Sequence, residues 1–166
     1  MRHIISILLQ NEAGALARVA GMFSARGYNI DSLSVAATHD PAVSRLTLVT
    51  GGSDEVIDQI VKQTRKLIDV VEISNLSSAD HLECELLMMK VEATNGTARK
   101  VVDCVRGNRG QILDESENTR TVQFSGTGAE VDAFIAELAK VTPILEVARS
   151  GVAALQRGHK ILQLSH

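Results

Sequence analysis

The residues best suited to do chemistry bracket a single helical segment. Asn11-Glu12-Ala13-Gly14-Ala15-Leu16 lies between an apolar run and the first helical pattern, and Gly27-Tyr28-Asn29-Ile30 follows that pattern. A glycine at such a junction lets a ligand approach the backbone, while first-turn N–H groups and the helix dipole favour an anion such as a carboxylate. Asn11 adds a donor and an acceptor. The same N-x-x-G spacing also serves a plain strand-to-helix turn and cap, and the pattern alone leaves both readings open. At the far end, the apolar alternation slips by one residue near Asp31-Ser32. That slip predicts a bulge in the following strand that redirects Asn29, or else a strand that simply starts after a glycine C-cap.

Other chemistries lack their residues. His3, His39, His81, His159 and His166 are far apart with no H-x-x-x-H spacing, and Cys84 and Cys104 form no metal pair. Each cysteine is flanked by apolar residues, which predicts buried structural thiols. No G-x-x-x-x-G-K-[ST], G-x-S-x-G or G-x-G-x-x-G occurs, and Gly107-Asn108-Arg109-Gly110 reads as a helix stop and turn. Asp114, Glu115 and Glu117 cluster at a predicted hairpin tip, where a solvated charge run is commoner than an acid/base pair. The Gln10–Ala15 loop carries Glu12 and no Lys or Arg, so it does not supply the basic phosphate loop of a small hydrolase. No catalytic residue and no cofactor of its own is expected.

Charge and composition narrow the partners. The first 76 residues hold 7 Lys+Arg against 8 Asp+Glu and the remainder 10 against 12, so no basic face for a phosphate backbone stands out. Aromatics are 2% of the chain, with no Trp, which removes the stacking platform of a single-strand binder. Nucleic acid is not an expected partner. Nor is a membrane, because no apolar stretch nears the roughly 20 residues of a span and MRHIISILLQ is not patterned as a signal peptide. The cytoplasm is the expected compartment.

The elements that position these residues come twice. His3–Leu9 is apolar enough for a buried strand, and Leu16, Val19, Ala20 and Phe23 then make one helical face. A strand from Tyr28 to Thr38, a turn at His39-Asp40-Pro41 and a strand over Val43–Thr50 follow. Ser53 caps a helix with Asp54 and Glu55 in its first turn, buried through Ile57, Ile60 and Val61, and Val70–Ile73 closes the unit. The order repeats through Cys84–Val91, a helix on Ala98, Val101, Val102 and Val105, a hairpin of Gln111–Asp114 with Thr121–Ser125, a helix on Val131, Phe134, Ile135 and Leu138, and a strand over Ile144–Ala148. Two tandem ferredoxin-like βαββαβ domains of the α+β class are therefore predicted: 1–76, a linker at 77–81, and 82–166 including a tail from Val152. Units of this size have marginal cores and exposed sheet edges, and oligomerisation is the expected remedy.

NEAGALARVAGMFSARGYNIDSLSV, the segment DPAVSRLTLVT and the run LEVARSG resemble, over nearly the whole chain, the small subunits of acetohydroxyacid synthase, whose first half is an ACT domain. The resemblance implies a non-catalytic regulatory subunit that activates a separate catalytic large subunit and makes it sensitive to feedback by an end-product amino acid, chiefly valine. Thiamine diphosphate, Mg and FAD would then belong to the catalytic subunit. A homodimer through the ACT domains is implied, with the ligand at their interface near Asn11, Gly14, Ala15, Leu16, Asn29 and Ile30. A free-standing ACT sensor acting on another enzyme or on transcription is the alternative. Arg45 and Arg149 are candidates for structural ion pairs or for the subunit interface, and Leu155, Ile161, Leu162 and Leu164 for packing on the domain or a partner.

Overall fold

The computed structural model describes residues 1–163. The chain divides into two compact units, Met1–Leu82 together with the residues from Val152 onward, and Glu83–Gly151. In the first, strands β1 (Arg2–Gln10), β2 (Ser32–Ala37), β3 (Val43–Gly51) and β4 (Val70–Asn75) form an antiparallel sheet in the order β2-β3-β1-β4, with helices α1 (Ala15–Ala25) and α2 (Asp54–Thr64). Ile5, Ile7 and Leu9 alternate toward Val19, Phe23, Ile57 and Ile60 to make the helix-side core. On the other face Ile4, Ser6 and Leu8 are buried as well, so β1, apolar over Ile4–Leu9 but for Ser6, is a strand covered on both faces.

What covers the second face was not legible as such. Leu76 of a short 3-10 turn and, from the far end of the chain, Val152 and Ala154 cover it, burying against Ile4 and Val49. The sequence pattern ended the last strand at Ala148 and left residues from 152 as a tail of the second domain. In the fold the strand continues to Gln156, and the residues from Val152 onward belong to the first unit. Their two-residue period is a strand period, and Arg157 anchors the far end through Asp80 (Nε to Oδ2, 3.0 Å). Leu164 and His166 lie outside the described residues.

Residues 77–81 are also more ordered than an aperiodic linker. Leu76–Ser78 form a 3-10 turn in which the Asn75 side chain accepts from Ser77 N (3.1 Å), and Ser77 Oγ accepts from Ile4 N (2.8 Å). Polar side chains that looked like a linker are capping backbone groups. The predicted bulge in β2 is absent: β2 pairs regularly with β3 from Ser32, and residues 28–31 precede the ladder. A register shift occurs instead between Leu8 and Leu9 where β1 meets β4.

The second unit repeats the plan with β5 (His81–Glu92), α3 (Ala98–Gly107), β6 (Gln111–Glu115), β7 (Thr119–Gly126), α4 (Gly128–Ala139) and β8 (Ile144–Gln156), its sheet ordered β6-β7-β5-β8. Thr127 and Glu130 close a capping box at α4, and the Phe124 and Phe134 rings stack at 4.7 Å. Cys84 is exposed on the outward positions of β5 and Cys104 is half-buried, so neither is the sealed thiol that apolar flanks suggested.

Arg149 is structural. Its guanidinium donates to both oxygens of the buried Glu85 (2.7 and 3.0 Å) and to Asp132 (2.7 Å). Removing it strands a buried carboxylate. Arg149→Ala is expected to cost about 2–3 kcal/mol, less than a fully buried pair because the guanidinium is partly exposed; the check is urea unfolding, and a midpoint within error of the parent would refute this role.

Candidate functional site

The loop from β1 to α1 is held from three sides. Gln10 N donates to Asp69 O (2.9 Å), Asn11 N to Ala42 O (2.8 Å), and Asn11 Nδ2 to Pro41 O (2.8 Å). The Asn11 side chain is thus oriented by the 40s turn while its residue stays exposed, and among the described residues nothing donates to its Oδ1. An acceptor in a fixed position remains on offer.

Gly14 then opens α1 in the left-handed region (φ +87°), with no side-chain cap and no acid in the first turn. Ala15 N reaches Glu12 O at 3.3 Å, but the N–H groups of Leu16 and Ala17 have no acceptor among the described residues. These are the orphan donors of a helix start, beside its positive dipole end.

Arg18 and Asp69, which no local motif marks, fix this loop from above. Arg18 Nε bonds Asp69 Oδ2, Nη2 donates to Oδ1 (3.0 Å), and Asp69 is only 4% exposed. The guanidinium lies over Gly14 so closely that a Cβ there would sit 2.9 Å from Nη1. Gly14 is favoured by its φ, and a Cβ there would also push the Arg18 guanidinium away from its place over the loop. The bond to Arg18 holds the Asp69 carboxyl below its ordinary range, and Asp69 holds the guanidinium above its own. Fifty-one residues separate the partners. The sequence signal was limited to Arg18 falling one helical turn after Gly14.

The other asparagine sits elsewhere. Gly27 (φ +69°) ends α1, with Tyr28 N donating to Phe23 O (2.9 Å). Asn29 O accepts from Thr50 Oγ1 (2.6 Å), its exposed side chain bonds Asp31, and Asp31 N donates to Val49 O (2.8 Å). Asn11 lies beside the start of β3 and Asn29 beside its end. With nine residues in β3, the two are roughly 25 Å apart in one chain.

The six sequence-predicted positions therefore fall into two groups. Asn11, Gly14 and Leu16 share one end, Leu16 being exposed instead of filling the helical stripe, which Ala15, Val19 and Phe23 occupy. Ala15, 3% exposed, supports the loop from within the core. Asn29 and the half-buried Ile30 share the opposite end, Ile30 packing on the core beside Tyr28. Among the described residues no group of His, Cys, Asp and Glu could hold a metal ion. Asp114, Glu115 and Glu117 are exposed at the hairpin, with Asp114 accepting from Ser116 Oγ (3.0 Å).

Residues 5–72 match the family described as the AHAS small subunit-like ACT domain, and residues 84–158 the family described as the small subunit of acetolactate synthase. The chain is 48% identical over 163 residues to the acetolactate synthase isozyme 3 small subunit of Escherichia coli K12, spanning 98% of this chain and 100% of that protein. It is 38% identical to a probable acetolactate synthase small subunit of Archaeoglobus fulgidus, over 96% of this chain and 99% of that one. The crystal structure of the acetolactate synthase small subunit from Thermotoga maritima superposes with a TM-score of 0.86 at 32% identity, covering 96% and 99% of the respective chains.

Because the folded-state pKa of Asp69 is depressed, the stability it contributes is complete above the unfolded carboxylate value of about 4 and is lost as pH falls through the folded value. Asp69→Asn should therefore lose less stability than the parent between pH 6 and the acid range. Urea midpoints at a series of pH values measure this, and parallel curves for the two proteins would show that the pair carries no linkage.

Proposed function

The chain belongs to the acetolactate synthase small-subunit family, and we propose on that basis that it is the regulatory subunit of acetohydroxyacid synthase. In this reading it activates a separate catalytic subunit and confers inhibition by a branched-chain amino acid, chiefly valine. It performs no catalysis itself. Thiamine diphosphate, Mg and FAD reside on the catalytic partner, and the complex works in the cytoplasm. None of the described helices is long and apolar enough to cross a membrane.

The observation that carries the ligand site is the separation of Asn11 from Asn29. A zwitterion needs donors for its carboxylate, an acceptor for its ammonium and an apolar pocket for its side chain. The Leu16 and Ala17 N–H groups, Asn11 Oδ1 and the exposed face of Leu16 offer these at one end of the domain. Asn29 cannot join them within one chain, but a second copy can bring it. Edge strand β2 begins next to Asn29 and ends, at Ala37, at the Asn11 end of the sheet. Its outer edge is unpaired among the described residues, and Leu33 and Val35 are 37% and 40% exposed. Antiparallel pairing of β2 with its own copy sets start against end, so each Asn29 meets the other chain's Asn11. Such pairing also covers an edge that would otherwise invite aggregation.

A ligand that bridges two chains binds only when they are correctly apposed, and thereby favours one assembly geometry. Inhibition is then a shift in the population of assemblies, transmitted to the catalytic subunit.

The central measurement is activity of the purified catalytic subunit with and without this chain across a valine titration. Added chain should raise activity and valine should remove the gain. Asn11→Ala or Gly14→Asp should raise the half-inhibitory valine concentration at least tenfold, about 1.4 kcal/mol. Failure of the chain to affect the catalytic subunit would refute the regulatory assignment.

The shared site has its own test. Asn11→Ala and Asn29→Ala homodimers should each bind valine weakly by calorimetry, whereas refolding the two variants together should restore one intact site per mixed dimer. A mixture that binds no better than its parents would exclude a site built from two chains.

A further inference from the structure

The sheet face opposite α1 and α2 holds a cation with no anionic partner among the described residues. Leu46 and Leu48 on β3 point into the helix-side core, so Arg45 points to the other face, across from Leu8 on β1. Arg45 Nη2 donates to the carbonyl of Ala154 (3.0 Å) in the segment that covers this face. Its Nε is buried without an acceptor, Nη1 meets none, and no carboxylate is within ion-pair distance among the described residues. Arg18, Arg149 and Arg157 each find a carboxylate. Burial correspondingly pushes the Arg45 pKa down. A partly desolvated guanidinium with one neutral acceptor is costly unless an anion completes it.

Arg45 borders a partly open cavity of about 650 Å³ lined by residues of the first unit. Its walls are largely apolar, from Leu8, Val43, Leu76, Leu155, Ile161 and Leu162, with Lys160 and His39 at the margin. Asp40 also borders it, but its Oδ1 already accepts from Ala42 N (2.9 Å). The volume falls within the range of small-molecule pockets, and one fixed guanidinium among apolar walls is the usual division of labour between orientation and affinity. The planar guanidinium matches a carboxylate. An α-ammonium would face Arg45 and Lys160, which disfavours a zwitterionic amino acid here.

We propose that this cavity binds an aliphatic monocarboxylate without an α-ammonium group, oriented by Arg45, on the sheet face away from α1 and separate from the amino-acid site. The cavity wall includes the 38–43 turn that also accepts both Asn11 hydrogen bonds, so binding perturbs residues on that turn.

The experiment titrates the full chain with octanoate, followed by calorimetry and by ¹⁵N NMR of backbone amides and the Arg45 Nε–H, with 1-octanol and inorganic phosphate as controls. Octanoate should bind saturably and shift the Arg45 Nε–H and the amides of residues 38–43. Octanol and phosphate should each bind at least tenfold more weakly. Arg45→Gln should weaken octanoate at least tenfold. Should Arg45→Gln fail to fold, Leu155→Glu carries the test: Leu155 is 58% exposed, so folding tolerates the change, and its carboxylate should repel octanoate by a similar factor. The proposal is overturned by octanoate affinity unchanged in the variant that folds, by octanol binding as tightly as octanoate, by phosphate binding as tightly as octanoate, or by no saturable binding at all.

Discussion

The first domain depends on the bidentate pair of Arg18 and Asp69. It ties the first turn of α1 to the residue just before β4, and in doing so presses a planar cation onto Gly14. The turn below it is left-handed at Gly14, which has no side chain to cap the helix, so the first N–H groups of α1 stay free at the loop. Asp69 is buried and its main-chain carbonyl also accepts from Gln10, so one residue fixes both the strand end and the helix start. A charged pair is a poor source of net stability when buried. Its use here is to hold one loop geometry, since any retreat of Arg18 leaves a carboxylate in the core.

Comparison of the two units shows that the fold does not by itself make this site. Both have the same strand order and two helices. At the junction of β5 and α3, however, Thr97 precedes the helix and Thr94 N donates to Thr97 Oγ1 (3.1 Å), with no left-handed glycine and no arginine above. The second loop consumes its own polar groups. The first leaves Asn11 Oδ1 and two helix N–H groups for something else. A duplicated scaffold has kept its packing pattern in both copies and its open donor set in one.

Much of this architecture was written in periodicity. Apolar residues at helical and strand spacing locate the four α-helices and eight strands of the described residues, because burial on one face is a local pattern. The glycines at 14 and 27 were legible for the same reason: helix ends need particular backbone angles. What escaped was long-range. Nothing near Arg18 points to Asp69, and nothing near Val152 says that it belongs over β1 and β3. The covering segment escapes a local reading because its two buried residues, Val152 and Ala154, are small and separated by another alanine, so the two-residue period carries little contrast in hydropathy. Leu16 was misassigned to the helical stripe since Leu16 and Ala15 are adjacent, and only the direction of the helix entry, set by Gly14, decides which of them turns inward.

The distance between Asn11 and Asn29 bears on whether these residues only shape their turns or also serve the proposed shared site. If each merely shaped its turn, both side chains would be expected to spend their polar atoms locally. Asn29 does bond Asp31 next to it, and its carbonyl secures Thr50. Asn11 spends its donor on Pro41 and keeps its acceptor. Each asparagine thus spends one Nδ2 hydrogen and keeps its Oδ1 free of donors among the described residues; the ends of α1 differ in that only the Asn11 end also carries unpaired helix N–H groups. An edge strand that runs between them, apolar at Leu33 and Val35, is the element by which the proposed antiparallel pairing of two copies would bring the two ends together. In the proposed arrangement a ligand would not need the protein to change its fold. It would need two rigid ends to be apposed, and the free energy of that apposition is what a bound amino acid would alter.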